Sequence, residues 1–184
     1  MFLGPWYAAY PKAKVIGPEG LPEKREKQGN EEVPFSVIFT KDKKVTIDPE
    51  FDAEFEYEYV PAHANKEIVF NHKPTRTLIQ ADLIFNYPAN EQFSKTGESA
   101  TSGILTKIFG SFSNIHGKGQ SRIIWYGISN ANKDRAGFNR SVANIDKWDF
   151  DRIIPCHGDV IESGGKGIFQ KVLAWNLAAA KKST

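Results

Sequence analysis

Residues 150–161, Phe-Asp-Arg-Ile-Ile-Pro-Cys-His-Gly-Asp-Val-Ile, run a short apolar strand into a glycine turn. A helical pattern follows at once, "KGIFQKVLAWNLAAAKK", led in by Gly164 and Gly165. Its Phe169, Val172, Leu173 and Leu177 recur at a spacing that puts them on one helix face. A strand that ends in a turn and returns as an amphipathic helix is the unit of a layered α/β or α+β fold. It also places His157 where the chain leaves the strand, and open α/β sheets bind ligands at the carboxyl ends of their strands.

The preceding chain supplies strands for such a sheet. "FEYEYV" alternates aromatic and acidic residues, and "EIVFNH", "FSVIFT" and "KVTID" have strand composition. "TRTLIQADLIF", residues 75–85, predicts a mostly buried strand in which Asp82 needs a partner, because a lone carboxylate in an apolar setting is costly. Residues 2–10 carry apolar residues at helical spacing up to Pro11, and "AKVIGPEG" predicts a short buried strand entering a turn. The charged segment 21–32 predicts an exposed loop or short helix, and residues 97–148 are helical in pattern. No internal repeat is present, and 184 residues suit a single domain, residues 1–184.

Composition narrows the function. Hydrophobic residues make up 40% and charged residues 25%, the mix of a globular protein with a core. Twenty-four basic against 22 acidic side chains leave a net +2, too little for phosphate neutralisation to organise the chain, so nucleic acid is not an expected partner. No apolar run approaches the ~20 residues of a membrane span, and no membrane partner is expected. The opening "MFLGPWYAAYPKAK" lacks the pattern of a signal peptide, and the lone Cys156 excludes an internal disulfide. A cytoplasmic protein is expected.

Four histidines are candidates for chemistry. His157 and His72 each end an apolar strand, and Asp82 lies ten residues beyond His72. Two imidazoles and a carboxylate are a zinc or iron donor set. Asp82 is equally suited to capping a turn or accepting backbone hydrogen bonds. His63 in "PAHANKE" and His116 in "NIHGKGQ" belong to polar loops and are expected in solvent. Cys156, at the end of a buried strand, is expected to be inert packing. "GKGQSR" and "GGKG" lack phosphate-loop spacing, and the four tryptophans are expected in the core or between helices.

"FDRIIPCHGDVIESGGKGIFQKVLAW" resembles the closing segment of metallo-β-lactamase-fold proteins, and "NHKPTRTLIQADLIFN" resembles their middle segment. "FLGPWYAAYPKAKVIGPEG" is similar to the helix and strand that follow their first metal motif. The likeness is greatest to a fungal and bacterial branch with motifs of the type H-x-P-S/T-R-T-L-I-x-x-D-L and I-I-P-C-H-G-D. It implies an αβ/βα sandwich, metal ligands at His72 and His157, and a bridging carboxylate at Asp82. It implies a metal-dependent hydrolase, using zinc or iron on a small-molecule ester, lactone, thioester or phosphodiester.

The family's first ligand motif, His-x-His-x-Asp-His, is expected just before "FLGPW", where this sequence starts at Met1. The implied sandwich is therefore incomplete at its amino-terminal side, and the implied metal site is degenerate and weak or empty. The same comparison leaves the strand at Val15 and Ile16 without neighbours, so a homo-oligomer covering that edge is expected. The alternative to a hydrolase is a non-catalytic structural or interaction protein that keeps the fold.

Overall fold

A computed structural model describes residues 2–41 and 43–182. The chain divides into two compact units, residues 1–53 and 54–184.

In the first unit, helix α1 (Leu3–Ala9) has no buried residue. Its Trp6, expected in the core or between helices, is 62% exposed and stacks on Tyr10 instead. Strand β1 (Ile16–Pro18) and strand β2 (Val37–Phe39) pair in parallel, Ile16 opposite Val37. Helix α2 (Leu21–Lys27) connects them, with proline in its first turn where no N–H is needed. Val15 is buried and Ile16 half-buried within this one chain, and β2 supplies β1 with a strand partner. "KVTID" does not form the expected strand, since the Asp52 carboxylate takes the Ile47 N–H at 3.1 Å. Helix α3 (Pro49–Glu54) follows.

The second unit is built on a four-stranded sheet of order β3–β4–β5–β6, so the fold is mixed α/β. Strands β3 (Phe55–Val60) and β4 (Glu67–His72) form an antiparallel hairpin, with Val60 opposite Glu67 and Phe55 opposite His72. Strand β5 (Thr77–Ile79) is antiparallel to β4, and β6 (Arg152–Ile154) runs parallel to β5. The β5–β6 crossover carries α4 (Asn90–Phe93), α5 (Ile104–Phe112), α6 (Gly119–Tyr126) and α7 (Arg135–Ile145), with a 3-10 turn at Ile128–Asn130.

The expected strand over 75–85 is cut short at Ile79. Gln80 closes a turn there: its carbonyl accepts from Leu83 and Ile84 at 2.8 and 3.1 Å, and its amide donates to the Ile84 carbonyl at 2.7 Å. A side chain that hydrogen-bonds nearby backbone groups competes with the strand ladder for them.

Val60, Val69, Leu78 and Ile153 meet Phe138, Val142 and Ile145 of α7 and Phe169, Val172 and Leu173 in one core. The closing helical pattern is two helices, α8 (Gly165–Val172) and α9 (Ala174–Lys181), broken at fully buried Leu173. Beyond the break, the Asn176 amide donates to Asn139 of α7 at 2.8 Å in the interior.

Gln120 of α6 fixes the segment after β5. It accepts from the Phe85 N–H at 2.6 Å and donates to the Phe85 carbonyl at 2.8 Å while only 1% exposed. Gln120→Ala would leave both backbone groups unpaired, at a cost of about 2 kcal/mol. Urea unfolding of the variant against wild type measures this, and a change below ~0.5 kcal/mol would show that water replaces the side chain without penalty.

Candidate functional site

Three turns meet at one edge of the sheet. Strands β5 and β6 are parallel, so the chain leaves both there, into residues 80–86 and 155–161. The β3–β4 hairpin turn, residues 61–66, lies at the same edge because Val60 pairs with Glu67. Asp82 comes from the first turn and His157 from the second, with His157 Nε2 3.4 Å from Asp82 Oδ1. His157 is about half exposed and Asp82 less so, which leaves the pair open to a small molecule.

Backbone geometry sets the position of His157. Asn86 N–H donates to the His157 carbonyl at 3.2 Å, and Asp159 N–H returns to the Asn86 carbonyl at 3.0 Å. Between them Gly158 has φ +100°, open in practice only to glycine, and a Cβ there would run into the Asn86 carbonyl.

Polar groups brace the pair, Asn65 at the surface and His63 and Glu67 in the interior. The Asn65 amide donates to Asp82 Oδ2 at 2.7 Å, so both carboxylate oxygens are engaged. His63, expected in solvent, is 1% exposed and lies against the Phe138 ring with centroids 6.2 Å apart. Its Nδ1 accepts from the Asn65 N–H at 3.1 Å, which leaves the proton on Nε2, 3.4 Å from the Asp82 carbonyl. Burial lowers the His63 pKa.

Glu67, 5% exposed, accepts from Ala81 N–H at 2.8 Å and Asp82 N–H at 2.9 Å, and burial pushes its carboxyl up to about 7. His63 and Glu67 approach to 3.6 Å, and burial opposes the charge on each.

His72 does not share this edge. It begins the opposite end of the β4–β5 pairing, opposite Thr77, five residues along β4 from Glu67. At ~3.3 Å per residue that is about 17 Å of strand. Its Nδ1 meets Thr75 Oγ1 at 2.6 Å, its Nε2 lies 3.5 Å from Glu54, and its ring packs on Phe55. The expected convergence of His72 with His157 is therefore corrected, because β4 runs antiparallel to β5 and carries its terminal residue away.

Cys156, expected as buried packing, is exposed. Its N–H donates to the Ala81 carbonyl at 3.3 Å and its carbonyl accepts from the Gln92 amide at 3.0 Å, so the backbone rather than the thiol ties the two turns together. Phe85 lies 5.8 Å from the His157 ring, and Phe109 of α5 packs on both Phe85 and Tyr87. Burial, then the charges of Asp82 and Cys156, push the Tyr87 hydroxyl upward.

No family model matches this sequence, and no curated protein matches it. Among solved structures it is similar to the DIM-1 metallo-β-lactamase exposed to ceftazidime, with a TM-score of 0.48 and 10% identity. The overlap covers 95% of this chain and 61% of that one, so this chain spans less than two thirds of the enzyme's length.

The donor set decides what the edge can hold. Among the described residues no group of three or more His, Cys, Asp or Glu side chains is placed to bind a metal ion. A catalytic zinc takes about three protein ligands, and here two converge. The residues at hand do not fit a complete zinc or iron centre.

Glu67 and His63 are what reading the sequence alone overlooks. The signal for Glu67 was available: in "EIVFNH" it shares strand parity with Val69 and Asn71, and all three are buried.

Proposed function

We propose that this chain is a metallo-β-lactamase-like domain of hydrolase type with a degenerate centre, in which Asp82 and His157 hold the remaining chemistry. The observation that supports it is the 3.4 Å approach of His157 Nε2 to Asp82 at the carboxyl edge of β5 and β6. An imidazole held beside a carboxylate at one nitrogen offers the other as a proton acceptor. Asp82, braced by the Asn65 amide, orients His157, and His157 takes a proton from a water attacking a small-molecule ester, lactone, thioester or phosphodiester. Zinc or iron adds little with only two convergent donors.

Hydrolysis of a p-nitrophenyl ester tests the assignment. His157→Ala and Asp82→Asn are expected to lose at least ~100-fold in kcat/KM, whereas His72→Ala stays within about two-fold. A wild-type rate equal to buffer, or a His72→Ala loss as large as that of His157→Ala, sinks it. Calorimetric titration with zinc is expected to show weak binding of no more than one ion, abolished by His157→Ala. Two tightly held ions per chain would mean that further donors assemble around the metal.

A further inference from the structure

Helix α5 leaves its apolar face uncovered. At 100° per residue, Ile104, Leu105, Ile108, Phe109 and Phe112 share one face, and Thr106, Lys107, Gly110 and Ser111 share the other. In a domain that needed α5 for its core, the first set would point inward. Instead no residue of α5 is buried, and those five side chains are 75%, 77%, 52%, 50% and 50% exposed. Thr106, Lys107, Gly110 and Ser111 border an open cleft of ≈ 270 Å³ with Tyr87, Pro88 and Ala100, and of the four only Gly110 is not exposed.

The helix is nonetheless held firmly. The Asn114 amide caps the Gly110 carbonyl at 2.8 Å, and Tyr87 N–H donates to the Ser113 carbonyl at 3.2 Å. Gly119 lets α6 come so near that a Cβ on it would lie 2.9 Å from Phe112 Cα. The chain therefore presents a fixed, contiguous apolar strip to the outside, which marks a docking surface.

Charge identifies what docks. Residues 95–122 contain Lys95, Lys107, Lys118 and Arg122 against Glu98 alone, a net +3 where the whole chain has +2. Lys107 projects from α5 itself, and Lys118 caps α6 beside the Phe112–Gly119 contact. Among the described residues Lys107, Lys118 and Arg122 form no ion pair. A second copy docking by symmetry on this strip would bring two sets of these cations together. An anionic bilayer surface satisfies both the apolar strip and the cations.

We propose that α5 is an interfacial helix that lies in the surface of an anionic membrane. Its apolar face enters the acyl boundary, and Lys107, Lys118 and Arg122 sit among the lipid phosphates. Nine residues span only ~14 Å, so α5 lies on the bilayer without crossing it, and no helix among the described residues is long and apolar enough to cross. The sequence excludes a span, and it is the uncovered apolar face of α5 that creates a membrane surface. Through Phe109, Phe85 and His157 the docked strip adjoins the Asp82–His157 edge. The proposal stands on exposure and charge and does not depend on hydrolysis.

Flotation of the full chain with vesicles tests it. The chain is expected to float with vesicles containing phosphatidylserine, weakly or not at all with pure phosphatidylcholine, and less as salt rises. Lys107→Glu and Lys118→Glu are each expected to weaken binding by at least about five-fold. The double variant Leu105→Ser, Ile108→Ser is expected to lose at least about ten-fold with an unchanged circular dichroism spectrum, since both side chains are already in solvent. No flotation with anionic vesicles overturns the proposal, as does equal binding to both lipids. Light scattering that finds a dimer dissociated by the same double variant would assign the strip to a second copy instead.

Discussion

Gly158→Ala is expected to unfold this domain more readily than any other single methyl addition at the site, by about 3 kcal/mol or more. Two penalties add there. The φ of +100° is outside the range of L side chains, and the new Cβ meets the backbone carbonyl of Asn86, which cannot swing aside as a side-chain tip would. That carbonyl already accepts from Asp159 N–H, so moving it breaks the bridge that positions His157. Thermal unfolding measures the effect, and ~3 kcal/mol corresponds to a fall of roughly 6–12 °C for a chain of this size. Gly164→Ala is the control, with φ +70° and open space around the added methyl, and is expected to cost only about 1 kcal/mol. Equal losses in the two variants would mean that the Asn86 turn yields easily.

Glu67 is expected to make stability fall as pH rises between about 4.5 and 7. Burial raises its carboxyl from the ordinary 4.5 to about 7, so within that window the folded chain binds the proton that the unfolded chain has released. Where the folded state binds more protons, stability decreases with pH, and the full cost, up to about 3 kcal/mol, is present above pH 7. His63 acts in the opposite direction. Burial lowers its pKa, so the unfolded chain binds the extra proton, and the resulting cost disappears as pH rises through the unfolded value near 6.5.

Glu67→Gln separates the two. It keeps the shape but not the ionisation, and one of the Ala81 and Asp82 N–H groups then faces an amide NH2, a pH-independent offset. Urea unfolding of both proteins at pH 4.5, 6 and 8 should show the variant gaining on wild type as pH rises. Parallel pH profiles would show that Glu67 titrates at its ordinary value.

The elements legible in the sequence are those whose cause is local. The alternation of "FEYEYV", the apolar "RII" and the glycine after His157 encode strand, strand and turn through side-chain periodicity and backbone sterics, and β3, β6 and the Gly158 turn stand where they were read. The strand over 75–85 was overextended because an apolar run does not reveal that Gln80 will fold back on Leu83 and Ile84. His63 was misplaced in solvent because its neighbours in sequence are polar, whereas its neighbour in space is Phe138, 75 residues on.

The sequence by itself determined that short strands, a His-Gly turn and a glycine-led helical segment would form, and that His157 would follow a strand, whereas Asp82 was read inside one. Tertiary structure alone decided which strand ends share an edge. Strand direction is fixed by long-range pairing: β5 and β6 run together and bring Asp82 to His157, while β4 runs against β5 and carries His72 to the far side. It alone decided that the apolar face of α5 stays uncovered, because periodicity defines a helix's faces and only packing settles whether one is buried.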